Sequence, residues 1–139
     1  EFRRVLFRSV RVFAGALTGR RDWPLQPAQA VPCVRLAHSL AHRELELVEV
    51  EDDAVRPRLF CRTVHEAGHG RFPGFNRARS AVIEAAILVS RLHMLAPEKI
   101  DAELAYLRIA IDKTAGPDEL EAWGWLMDRI ETHRAGVQP

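Results

Sequence analysis

The chain has 139 residues, 47% hydrophobic and 28% charged, with 20 basic and 19 acidic side chains and a formal net charge of +1. That size suits one domain or a little more, and the charge balance gives no drive toward nucleic acid or an anionic membrane. Cys33 and Cys61 alone make neither a zinc quartet nor a disulfide framework, so a reducing, cytoplasmic setting is expected.

The chain opens on EFRRVLFRS, which has no long apolar run and no small-residue cleavage site. It resembles a translated sequencing-adapter read, and residues 1–9 are expected to be a non-native leader. VRVFAGAL, residues 10–17, is rich in β-branched and aromatic residues and predicts a strand. Residues 18–32 carry Gly19, Pro24, Pro27 and Pro32 and read as a loop, with Trp23 as its anchor. Residues 34–40 suggest a short helical turn. RELELVEVE, residues 43–51, alternates apolar and charged side chains as a half-buried strand does. The alternation slips between Leu47 and Val48, which predicts a bulge there. DDAVRP supplies turn chemistry, and RLFCRTVHE, residues 58–66, reads as the return strand of a hairpin, with Cys61 as a small core residue.

His65-Glu66-Ala67-Gly68-His69 matches the H-E-x-x-H pattern of zinc peptidases. That chemistry needs a helix, because only a helix puts residues i and i+4 on one face to share an ion, with the glutamate activating bound water. Here the motif continues a strand-like run and meets Gly68, Gly70, Pro73 and Gly74. On an extended chain His65 and Glu66 point to opposite faces. The peptidase reading is therefore rejected, and no metal site is expected. GHGRFPG, residues 68–74, occupies the strand-to-helix position of a phosphate loop, but it is neither G-x-G-x-x-G nor a Walker sequence. Its glycines are read as permitting a tight turn.

Beyond that loop the apolar period becomes helical. Residues 76–95, 97–114 and 117–133 predict three helices, with Pro97 and Pro117 at first helical positions and Gly116 as a C-terminal cap. Ile100, Leu104, Leu107 and Ile111 form one core stripe; Trp123, Leu126, Met127 and Ile130 form another. In the first of these helices Arg77, Ser80, Glu84 and Arg91 fall in one narrow sector with apolar residues on both sides. This predicts a central helix buried on two flanks, with a structural polar seam of Ser80, Glu84 and Arg91. Glu84 is expected to be compensated by Arg77, Arg91 or a symmetry-related partner.

GFNRARSAVIEAAILVSRLHML, followed by YLRIAIDKTAGPDELEAW, resembles the C-terminal part of the domain-of-unknown-function family numbered 447. VRVFAGALTGRRDWP and ELELVEVEDDAVRPRLFCRTVHE resemble that family as well. The resemblance implies an α+β fold, with part of an FMN-binding split β-barrel over residues 10–74 and a three-helix C-terminal region over 75–139. It also implies that this chain is a C-terminal fragment whose first barrel strands lie upstream. FMN is the implied cofactor of the full-length parent, with Trp23, Asn76 and Arg77 as flavin or dimer-interface contacts, and a homodimer as the implied assembly. The implied function is that of an FMN-binding flavoprotein, with flavin-dependent oxidoreduction of an unidentified small molecule as its activity class. The rival reading is a non-enzymatic dimerisation or partner-binding module. No catalytic residue is identified.

Overall fold

The structure, a computed structural model, describes residues 9–136; the leader reading for residues 1–8 lies outside the described residues. The elements are α1 (Val10–Leu17), β1 (Leu25–Pro27), β2 (Val34–Leu36), β3 (Ala41–Glu51), β4 (Arg58–Gly68), α2 (Arg77–Ser90), α3 (Pro97–Thr114) and α4 (Pro117–Arg134). The class is α+β, with two separate two-stranded antiparallel sheets, β1–β2 and β3–β4. The chain divides into a ribbon unit, Trp23–Phe72, and a helical unit formed by Ser9–Asp22 together with the residues after Phe72. No described helix is long and apolar enough to cross a membrane.

The helical unit holds the hydrophobic core. Asn76 starts α2 by accepting the N–H groups of Ala78 and Arg79 on its side-chain oxygen, at 2.8 and 3.2 Å. Its amide nitrogen donates to the carbonyl of Thr114 at 3.1 Å, tying that start to the end of α3. Ala78, Ala81, Val82, Ala85, Ala86 and Val89 are all buried. This small-residue face lets α1, α3 and α4 pack closely around α2. The expected stripes face the same core: Ile100 and Ile111 from α3, and Trp123, Leu126 and Ile130 from α4, are buried, with Leu104, Leu107 and Met127 packed at its edge.

Three local expectations are corrected. Residues 10–17 are helix, not strand. Val10 and Ala14, one helical turn apart, are both buried in the core, and their burial against α2 and α4 outweighs the weak strand preference of Val and Phe. Residues 34–36 are a strand, because Val34 and Leu36 pair with Pro27 and Leu25. Gly116 is the N-cap of α4, not the C-cap of α3, which is Ala115.

The polar seam is also corrected. Arg77, Ser80, Glu84 and Arg91 are all exposed, and Glu84 pairs with neither arginine. The sector between the apolar flanks faces outward, so no compensating cation is needed. The buried ion pair of α2 lies elsewhere. Arg79 Nε meets Glu119 Oε1 at 2.9 Å, with the glutamate side chain 7% exposed, and the Gly116 N–H donates to Glu119 Oε2 at 2.9 Å. Burial would raise the Glu119 pKa, but the hydrogen bonds from Arg79 and Gly116 outweigh it and hold the group below 4.5.

The ribbon unit is built differently. β3 and β4 pair over their full length with two slips. Glu44 faces His65 and Leu45 faces Thr63, leaving Val64 extra on β4; Leu47 faces Cys61 and Glu49 faces Phe60, leaving Val48 extra on β3. The second slip is the bulge expected from the broken alternation. The register gathers Glu46, Glu49 and Glu51 with Arg58 and Arg62 on one face, where Arg62–Glu46 and Arg58–Glu51 form cross-strand ion pairs. Leu45, Leu47, Val50, Leu59 and Cys61 share the other. That apolar face is open: Leu47 is 54% and Val50 45% exposed. Cys61 is accordingly exposed rather than core.

Two outcomes check this account. Glu119→Ala should destabilise the helical unit by about 2 kcal/mol, the range for hydrogen bonds to a charged group, measured by denaturant unfolding. Because the folded pKa of Glu119 is depressed, its contribution is complete above pH 4.5 and is lost as pH falls through the folded value; Glu119→Gln should flatten that acid limb. Glu84→Ala should shift stability by no more than about 0.5 kcal/mol, as exposed substitutions do.

Candidate functional site

The densest polar constellation among the described residues sits at the open end of the β3–β4 ribbon, away from its turn. His42 and Glu44 are two apart on β3 and so share a face; His65 on β4 lies directly opposite Glu44. His69 follows β4, where its N–H donates to the carbonyl of Leu40 at 2.6 Å.

Glu44 organises the group. Its side chain is only 2% exposed. Oε1 accepts the N–H of Gln29 at 2.7 Å, and Oε2 accepts those of Ala30 at 2.6 Å and Val31 at 3.1 Å. The loop between β1 and β2 is thereby wrapped around one carboxylate. Burial pushes the Glu44 pKa up, but the three backbone donors and His42 outweigh it and lower it to about 2.

The histidines form a chain from that carboxylate. His42 Nε2 lies 3.0 Å from Glu44 Oε1, and His42 Nδ1 lies 2.8 Å from His69 Nε2. The His42 and His69 rings are stacked at 4.9 Å, and the His65 ring stands 5.5 Å from that of His42. His65 Nε2 is buried and makes no hydrogen bond. Burial lowers the His69 pKa, and the charges of Arg35, His42 and His65 lower it further. One atom from each of His42, Glu44 and His65 lies within 4.8 Å of the other two.

The H-E-x-x-H pattern is thus dismantled by its backbone. β4 runs through it to Gly68; His65 turns to Glu44, while Glu66 pairs with Arg43 at 2.7 Å. His42 and Glu44 were not singled out from sequence, since AHRELELVEVE reads only as a strand; the pairing of position 44 with 65 is what joins them. Of the residues expected to touch flavin, Trp23 is half-buried at the start of the ribbon unit, Asn76 is the cap of α2, and Arg77 is exposed on the first turn of α2.

Glu44→Gln removes the charge that holds the loop. Hydrogen exchange at the amides of Gln29, Ala30 and Val31 should quicken by about tenfold, the equivalent of one charge-assisted hydrogen bond, while exchange in α2 and α4 stays unchanged.

Residues 76–128 match the family model for the C-terminal part of a protein of unknown function, DUF447. A crystal structure of an FMN-bound protein from Methanosarcina mazei, of the same family, resembles this chain with a TM-score of 0.74 at 14% identity, over 90% of this chain and 69% of that one. No curated protein matches. Residues 76–128, which span α2, α3 and most of α4, therefore carry the sequence pattern of the C-terminal part of DUF447, on a fold similar to that of the Methanosarcina mazei protein.

Proposed function

We propose that this chain is part of an FMN-binding flavoprotein, with β3 and β4 as two strands of a split barrel. The observation that carries the reading is the amphipathic ribbon. One face is laced with cross-strand ion pairs, and the other presents Leu45, Leu47, Val50 and Leu59 uncovered. A sheet with one charged and one apolar face is the wall of a barrel or sandwich, whose apolar side meets further strands. The likeness to an FMN-bound protein of the same family supports flavin as the ligand of such a barrel.

In this reading Arg77 meets the flavin phosphate. It is exposed at the first position of α2, where guanidinium and helix terminus favour an anion together. Trp23 supplies an aromatic edge, and Asn76 acts by fixing the start of the helix that carries Arg77. The protein acts as a cytoplasmic homodimer on a small-molecule substrate without engaging nucleic acid or membrane. Flavin brings its own redox chemistry, so the residues named here bind and orient rather than react.

Titration of the full-length parent of this chain with FMN, followed by quenching of flavin fluorescence, tests the reading. FMN should bind at one per chain, and riboflavin, which lacks the phosphate, should bind about tenfold more weakly. Arg77→Ala should bring FMN down to the riboflavin level, the loss of one charge-assisted contact. Absence of saturable FMN binding would overturn the proposal. Reduction of the bound flavin by a nicotinamide donor would separate an oxidoreductase from a module that merely holds flavin.

A further inference from the structure

We propose that His42, Glu44 and His65 form a binding site for one divalent transition-metal ion of the Zn²⁺ class at the end of the β3–β4 ribbon, with His69 as an outer-sphere support.

The geometry is that of a ligand set. Two ligands each about 2.1 Å from one ion stand roughly 3.0–3.4 Å apart when they subtend the angles of octahedral or tetrahedral coordination. His42 Nε2 and Glu44 Oε1 are 3.0 Å apart. One ligand atom from each of the three residues lies within 4.8 Å of the other two, so the set has to close by no more than about 1.8 Å to share an ion, within reach of a small side-chain rotation. Among the ring nitrogens of His65, Nε2 is buried without a hydrogen-bond partner. A buried nitrogen lone pair left over from every other contact is costly unless something binds it.

The surrounding contacts are those a metal site needs. A carboxylate offers about four acceptor positions. Three of those on Glu44 are taken by Gln29, Ala30 and Val31, which fix its plane, and the fourth faces His42. That fourth position accepts either the Nε2 proton of neutral His42 or a cation. When a cation takes it, the His42 proton moves to Nδ1 and is donated to His69 Nε2, 2.8 Å away, with His69 carrying its own proton on Nδ1. No proton is released, and the imidazole is oriented by its second nitrogen, as metal-bound histidines are. Two imidazoles and one carboxylate select a borderline transition ion over Ca²⁺ or Mg²⁺, which prefer all-oxygen shells.

The bound ion would tie β3, β4 and, through Glu44, the loop between β1 and β2 into one joint. It differs from a peptidase centre in its parts. Only His65 of the H-E-x-x-H letters ligates directly, and Glu66, on the opposite face, is paired with Arg43.

Equilibrium dialysis of the full chain against Zn²⁺, with metal counted by mass spectrometry, tests the site. One Zn²⁺ per chain at micromolar or tighter affinity is expected. His42→Ala and His65→Ala should each abolish stoichiometric uptake. His69→Gln should weaken it by about ten- to a hundredfold, the range for outer-sphere partners. Exposed His38→Ala should leave it unchanged. Because His42 and His65 variants could unfold the ribbon, X-ray absorption on the Zn²⁺-loaded wild-type chain provides a second measurement, expected to show two imidazoles with oxygen donors. Uptake only at millimolar Zn²⁺, uptake that survives His65→Ala, or sulfur ligation from Cys33 or Cys61 would each overturn the proposal.

Discussion

A two-stranded ribbon has no interior, and most of what distinguishes the first half of this chain follows from that constraint. None of the fully buried apolar side chains among the described residues comes from Trp23–Phe72. The ribbon unit holds its loops by polar means instead, and the central device is a carboxylate that collects three consecutive backbone N–H groups. Glu44 does for this unit what Ala81, Val82 and Leu126 do for the helical unit: it supplies the buried point around which the chain is arranged. The open apolar face, the histidine cluster and the exposed cysteine are all consequences of a sheet too narrow to cover itself.

The helical unit solves the opposite problem. Alanines on α2 remove bulk from its contact face, so three helices reach it at close range, and larger side chains from α3 and α4 fill what is left. Its one deeply placed acid, Glu119, is tolerated because an arginine from α2 and the backbone N–H that opens α4 both donate to it. Among the described residues, each unit thus buries a single glutamate as a fastener. In one the donors are mostly backbone, in the other a guanidinium leads.

The sequence was legible where the signal was local. Alternation in ELELVEVE marked the hairpin and even the slip at Val48, and the prolines at 97 and 117 marked two helix starts. It was illegible where partners are distant. Glu44 is one of several glutamates in a repetitive strand, and nothing nearby announces that a loop thirteen to fifteen residues earlier will close on it. Glu119 likewise meets an arginine forty positions away. The helical wheel of α2 correctly found a narrow polar sector, but a wheel has no knowledge of where neighbouring helices stop, and it mistook an uncovered strip for a buried seam. Residues 10–17 failed for a related reason: Val and Phe favour strands only when there is a sheet to join, and here two helices offered the better surface. The resemblance to DUF447 was legible because its pattern lies in the C-terminal helices; the site at His42, Glu44 and His65 was not, because its members meet only across the ribbon.

The two slips in the ribbon are equal and opposite. One extra residue on β4, Val64, is matched by one on β3, Val48, so both strands use eleven residues between the same pair of ends. They behave as a compensated pair of dislocations: the stretch between them is offset by one position, while the turn and the histidine end remain aligned as if no slip existed. Loss of Val48 would heal one dislocation and leave every other cross-strand partner in place. Relatives that differ by a single residue within this strand can therefore keep His65 opposite Glu44. Divergence in ribbon length and retention of the cluster are mechanically uncoupled.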